Sequence, residues 1–313
     1  MQSAMAESGD WWSNLYERGR GKTVSIITPS LNPDRRLVEA CESLEHAIAM
    51  LKRQDYEIRI EQIICDDSST EPGTSELYAR LEQGFPFIRV IRNTSEHRGP
   101  AAARNYALEH ARGEWVGFLD ADDQMVPEGF MHLIQASRQH PESEWIVGDS
   151  VAFHTDGQEI MKPSRFRKVC LDNHQQPIYV SSEIVMSVLA GPPNLFLGAM
   201  MAKKSLIEKA GGFDVQLLRS EDWYLTLSMA EFSGVIYVPT TVLRFRRGES
   251  SLTQSPGKGE VDTVRATWRA MTERRFRSVR RVLRWTLISQ MVFLRDGLFA
   301  QRRRGRAFWF GLL

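Results

Sequence analysis

The sequence predicts an α/β protein, a doubly wound, mainly parallel sheet flanked by helices, followed by a basic helical extension at the C-terminal end. Three observations carry this. Short apolar, β-branched runs alternate with segments of helical spacing through the first half of the chain. Polar groups gather where three of those runs end, at Thr28-Pro29, Asp66-Asp67 and Asp120 to Asp123. From Arg265 onward there are 13 Arg, no Lys and 2 acids, a local net of +11 in a chain whose overall net charge is +1.

The elements follow in order. Residues 1–22 read as a polar leader without the basic-then-apolar order of a signal peptide. VSIITPSL (24–31) is a buried strand, β-branched and short. Residues 34–53 place Leu37, Cys41, Leu44 and Ile48 at helical spacing. IEQIICDD (60–67) is a second strand, SSTEPGT (68–74) a loop, and FIRVIRN (87–93) a third strand. Gly99-Pro100 opens an alanine-rich helix, since proline suits the first helical position, and Gly113 closes it. EWVGFLD (114–120) is a fourth strand. Beyond 145 come a strand (145–154), an irregular stretch (155–180), a strand and helix within 191–214, a helix in 219–234 and an extended run at 235–247. GESSLTQSPGKGE (248–260) has the composition of a mobile loop, so a domain edge falls near 255, dividing a catalytic unit (23–255) from the extension (256–313).

Composition bounds the class. With 313 residues, 42% hydrophobic and 25% charged, the chain is an ordinary globular protein. Three cysteines, Cys41, Cys65 and Cys170, lack C-x-x-C spacing and suit a reduced, cytoplasmic setting. The longest apolar stretch, Trp285 to Leu294, has about half the ~20 residues of a spanning helix. No H-E-x-x-H spacing supports zinc, and no nucleic-acid partner is expected.

In doubly wound sheets ligands collect beyond the carboxyl ends of the strands, where this chain delivers its acids. Asp120-Ala121-Asp122 ends a buried strand and enters a turn. Two carboxylates two residues apart can share a small volume there, and a hard divalent cation, Mg2+ or Mn2+, would relieve their repulsion. An exposed acidic turn before Pro127 is the plainer alternative for this motif alone.

The motifs are ordered. TVSIITPSLN, ICDDSST, HRGPAAARN and GEWVGFLDADD, then GAMMAKKSLIEKAGGFD, RSEDW and LRFRRGESSLT, together resemble the signature of a family 2 glycosyltransferase of GT-A fold, over residues 23 to about 253. The resemblance implies that Thr28-Pro29 forms a nucleotide-contacting turn and that Asp66 or Asp67 receives the base and ribose, with Asp67 favoured for uracil. Arg98, Gly99 and Arg104 would border the nucleotide, with Arg104 either reaching it or holding the acidic rim. Asp122 would hold the metal and Asp120 the ribose side. Asp222 would be the general base, with Glu221 and Trp223 toward the acceptor. Arg246 would grip the departing diphosphate. The greasy segment 191–201 would border the acceptor or belong to the core.

The implied activity is inverting, metal-dependent transfer from a nucleotide-diphosphate-sugar, UDP-sugar first, to a hydroxyl acceptor, glycan or lipid-linked, in cell-surface glycan or polysaccharide assembly. The loop at 248–258 would close over the donor. A nucleotidyltransferase is the first alternative, although the loop SLNPDRRL after the first strand has no glycine to cradle a triphosphate. A non-catalytic glycan-assembly partner is the second. The extension lines Phe276, Val279, Leu283 and Leu287 on one face and Arg274, Arg277, Arg281 and Arg284 on a neighbouring one. Two readings stand for it. It meets an anionic membrane surface through 261–313, at the inner face of the cytoplasmic membrane, or its apolar face packs on the catalytic unit or a second subunit.

Overall fold

The computed structural model describes residues 22–54, 56–154, 157–160, 167, 176–191, 195–217, 219–247, 258–292 and 294–295. Residues 1–21, Cys170, residues 248–257 and the last 18 residues lie outside them.

The strands are β1 (Lys22–Ser30), β2 (Ile58–Asp66), β3 (Ile88–Arg92), β4 (Trp115–Phe118), β5 (Gln124–Met125), β6 (Trp145–His154), β7 (Glu159–Ile160), β8 (Ile178–Val180), β9 (Met200–Lys203) and β10 (Val235–Arg247). Among the described residues they form one sheet in the order β3-β2-β1-β4-β9-β6-β10-β5, with β7 beside β6 and β8 beside β10. The β3-β2-β1-β4 half is parallel throughout. The other half is mixed, because β9 runs antiparallel to both β4 and β6 while β6 and β10 are parallel. The expected parallel sheet is thus seen in the first half; MMAK reads as a strand in either direction, so its orientation has no local signal.

The chain steps outward from β1 to β2 to β3, then returns to the other side of β1 with β4. This reversal is a topological switch point, where a crevice opens beyond the strand ends. Thr28 to Ser30, Asp66 and Phe118 to Asp120 all end there, since Ser30 pairs with Asp66 and Leu119 N–H donates to the Ile27 carbonyl at 3.0 Å.

Alternation along the strands fills both faces. Val24, Ile26, Ile60 and Ile64 pack on α1 (Arg35–Arg53), α2 (Thr74–Gly84) and α4 (Pro127–Gln139). Ile27, Ile63, Cys65, Val116 and Phe118 face α3 (Pro100–His110), α5 (Ser182–Leu189), α6 (Lys204–Lys209) and α7 (Glu221–Met229). At Gly129 a Cβ would come within 2.0 Å of the Thr241 carbonyl, so only glycine lets α4 lie this close to β10.

The extension comprises α8 (Lys258–Thr272), a 3-10 turn (Arg274–Val279) and a helix over 280–292, called α9 here. Ala266, Ala270, Phe276, Val279 and Leu283 join the same core as α7. Of the two readings of this segment, packing of that apolar face on the catalytic unit is the one observed.

Candidate active site

The carboxylates of β4 and α7 meet on one cation. Arg104, in the second turn of α3, is 5% exposed. Its Nη2 donates to Asp120 Oδ1 at 2.7 Å and its Nη1 to Glu221 Oε1 at 2.8 Å. Burial alone would weaken the Arg104 charge, but Asp120, Glu221 and Asp222 outweigh it and hold its pKa above the ordinary value. Of its two expected roles, it is the acidic rim that Arg104 holds; both terminal nitrogens are committed to carboxylates. The next residue, Asn105, accepts from Phe213 N–H at 2.9 Å and donates to the Phe213 carbonyl at 2.8 Å. This fixes the Gly211-Gly212 turn, both at positive φ.

Asp67 guards the start of the same helix. Its Oδ2 accepts from Gly99 N–H at 2.6 Å and its Oδ1 from Asn93 Nδ2 at 2.8 Å. Gly99 has φ 98° and ψ 171°, a conformation open essentially to glycine alone. Asp66 Oδ1 accepts from Ser69 N–H at 3.0 Å and Tyr78 Oη at 3.2 Å, so Asp66 caps its own turn. Each carboxylate oxygen has two lone pairs, and these bonds leave acceptor capacity in both. Asn93, missed in the sequence, directly follows β3 as the last letter of FIRVIRN.

The turn after β4 is crowded with charge. Burial, then Asp120, raises the Asp122 pKa, while Arg36 and Arg246 partly offset this. Burial with Asp120 and Asp122 pushes Asp123 well above the ordinary range. Asp123 is structural: its Oδ1 accepts from Arg246 N–H at 2.8 Å and its own N–H donates to the Asp120 carbonyl at 3.1 Å. Arg246 braces this turn. Its Nε donates to the Asp122 carbonyl at 3.0 Å, Nη2 pairs with Glu39, and the guanidinium lies over Phe153. It is not poised as an open phosphate clamp, as the sequence led one to expect.

Glu221 and Asp222 open α7. Burial and the neighbouring Asp222 raise Glu221 to about 7. Burial raises Asp222 too, against the opposing pull of a 2.7 Å hydrogen bond from Trp223 N–H and the Arg104 charge. Ser220, immediately before them, has φ 62°, uncommon for a residue with a side chain, and its Oγ lies 2.9 Å from Thr263 Oγ1 of α8. Sequence offers no cue for this brace, because 43 residues separate the partners.

Three expected contacts are placed elsewhere. Thr28 is fully buried and accepts from Gln62 Nε2 at 3.0 Å, so its side chain supports β1 and not a ligand; Pro29 beside it is half-buried at the rim. Arg98 is exposed and donates to the carbonyls of Ser95 and His97 in its own loop. Trp223 is a core residue whose indole N–H donates to the Leu189 carbonyl at 2.6 Å, leaving it no face for an acceptor.

The contacts nonetheless join the three motifs. Asp67 holds the entry to α3, Arg104 lies one turn further on, and its two nitrogens reach Asp120 and Glu221. No cluster of three or more His, Cys, Asp or Glu side chains able to hold a metal occurs among the described residues. The crowding of Asp122 by Asp120 fits a different arrangement, an ion held by one or two carboxylates with substrate phosphates as further ligands.

Strand-end acids at the topological switch point are thus joined through Arg104 to the acids that open α7. Residues 25–206 match the model of the glycosyl transferase family 2, and the chain belongs to that family. It is 28% identical over 209 residues to an uncharacterized glycosyltransferase of Haemophilus influenzae, an alignment covering 66% of this chain and 62% of that protein. It is 24% identical over 205 residues to the poly(ribitol-phosphate) beta-glucosyltransferase of Bacillus spizizenii, covering 66% of this chain and 29% of the relative. The chain therefore spans less than two thirds of the length of either. The crystal structure of S. aureus TarS 1-349 in complex with UDP-GlcNAc superposes with a TM-score of 0.59 at 17% identity, covering 80% of this chain and 67% of that one. This likeness bears out the GT-A-type α/β fold.

Proposed function

We propose that this protein transfers a sugar from a nucleotide-diphosphate donor, UDP-sugar first, to a hydroxyl acceptor in cell-surface glycan or polysaccharide assembly, with inversion. Family membership supports the transfer, and relatives named for beta-glucosyl transfer to poly(ribitol-phosphate) and for teichuronic acid biosynthesis support the acceptor class. The UDP-GlcNAc complex of TarS supports the donor class. Membership also argues against the nucleotidyltransferase, and the intact Asp120-Ala121-Asp122 and Glu221-Asp222 stretches argue against the non-catalytic partner.

The observation that carries the reading is Arg104, which binds the strand-end Asp120 and the helix-opening Glu221 with one guanidinium. Through it the donor-side and acceptor-side acids share a single wall. Asp67, with Asp66, receives the base and ribose. Asp122 holds Mg2+ or Mn2+, which when bound supplies positive charge against the departing diphosphate. Asp222 takes the proton of the acceptor hydroxyl as its oxygen bonds to the anomeric carbon and the bond to the diphosphate breaks. Glu221 is tied to Arg104 and so orients α7. The buried, unpaired thiols of Cys41 and Cys65 suit a cytoplasmic enzyme.

The test is Asp222→Asn. Removing a general base costs about 10²–10⁴-fold in rate, so transfer from UDP-sugars should fall by that factor while UDP affinity is retained. Near-parental transfer by the variant rejects the base assignment.

A further inference from the structure

Helix α9 has two apolar sides, and only one is used. Phe276 and Val279 of the preceding turn and Leu283 of α9 join the core of the catalytic unit, Leu287 is buried too, and Thr286 Oγ1 anchors that inner side to the Ala190 carbonyl at 2.7 Å. On the outer side Trp285 is 66% exposed, Met291 54%, Ile288 45% and Val292 42%. At 100° per residue these four, with Arg281 and Arg284, fall within about a third of the helical circumference. Arg277, Arg281 and Arg284 are exposed, and none has an acidic partner among the described residues. Residues 280–292 include no acid.

We propose that this outer face docks on an anionic lipid bilayer, lying in the plane of the interface with Trp285, Ile288, Met291 and Val292 in the headgroup–acyl boundary and the arginines on lipid phosphates. The stripe differs from the one the sequence singles out, which is consumed by the core. Charge selects the occupant. A symmetric pairing of two copies through this face would bring like-charged arginines together, whereas an anionic leaflet complements them. Tryptophan beside aliphatic side chains suits the water–membrane boundary. The chain then continues with Arg302, Arg303, Arg304 and Arg306 followed by Phe308-Trp309-Phe310, the same pairing of chemistries. No helix among the described residues is long and apolar enough to span a membrane, so the contact is peripheral.

The experiment uses the full chain without donor or acceptor, so its outcome is independent of the active-site reading. Binding is measured by co-sedimentation with phosphatidylcholine vesicles, plain or containing about a third phosphatidylglycerol. The parent should pellet with the anionic vesicles, and weaken with salt. Each exposed arginine contributes about fivefold, so Arg281→Gln with Arg284→Gln should reduce affinity roughly twenty-five-fold. Ile288→Ser with Val292→Ser should reduce it as well, with the melting temperature of each variant compared with that of the parent. Equal pelleting of parent and arginine variants, or equal affinity of the parent for neutral and anionic vesicles, overturns the proposal. So does a parent dimer, seen by light scattering, that the apolar variant dissociates without loss of vesicle binding.

Discussion

Arg104→Met replaces the central guanidinium with an apolar chain of similar length and strands two carboxylates of unequal exposure. The Glu221 side chain is 9% exposed and that of Asp120 is 45%. Breaking a buried pair by removing one partner costs about 3–5 kcal/mol, whereas an exposed pair contributes roughly 0–1 kcal/mol. The loss therefore falls mainly on Glu221. Protonation limits it, because Glu221 already sits at about 7 against an ordinary 4.5 and needs little driving force to take a proton. We expect a destabilisation of about 2–4 kcal/mol at pH 8, the middle of the range a partly self-neutralising buried pair allows. The sign with pH follows from linkage. A carboxyl whose folded pKa is raised binds more protons in the native state than in the unfolded one, so it lowers stability as pH rises from the unfolded value to the folded one. Without Arg104 the Glu221 pKa rises further, and the deficit should widen between pH 5 and pH 8. Urea unfolding at both pH values, followed by circular dichroism, measures this. A deficit under about 1 kcal/mol, as for a surface pair, or one equal at both pH values, would refute the assignment of Arg104 as the buried clasp.

Two further predictions concern the backbone around the site. Gly99→Ala meets no neighbour within 4 Å, so its cost is conformational strain at φ 98°, about 1–3 kcal/mol, read as a lower melting temperature together with weaker UDP binding. Thr263→Val removes the hydroxyl beside Ser220 and should cost about 0.5–1.5 kcal/mol. Its functional signature is a lower kcat with UDP affinity unchanged, since α7 and not the nucleotide wall is released; an unchanged kcat would assign Thr263 to packing alone.

The parallel half of the fold is legible because each strand there is a short apolar run ending in a polar pair, and burial on both faces demands that pattern. β6 and β10 coincide with the runs 145–154 and 235–247. The helices Thr74–Gly84 and Pro127–Gln139 are only weakly legible. Tyr78 with Leu81, and Phe130 with Leu133 and Ile134, supply helical spacing over little more than one turn each. The direction of β9 depends on its neighbours, which periodicity does not encode. In the site, the acids are legible as crowding at strand ends. Their partners are not, since Arg104 and Glu221 stand 117 residues apart and no local pattern links them. The same limit explains Arg246 and Trp223. Charge and aromaticity suggest ligand contact, but tertiary partners, Glu39 with the Asp122 carbonyl and the Leu189 carbonyl, engage both side chains. The extension shows the converse. Its apolar stripe at 276, 279, 283 and 287 is plain in the sequence, yet only packing reveals which side remains outside.

Calorimetric titration of UDP into the parent and into Asp122→Ala, each with and without Mn2+, tests most directly whether strand-end acids gather one ion-bound diphosphate. Tighter binding by the parent when Mn2+ is present, with that gain abolished in the variant, is the predicted result. Equal UDP affinity in all four titrations would contradict it.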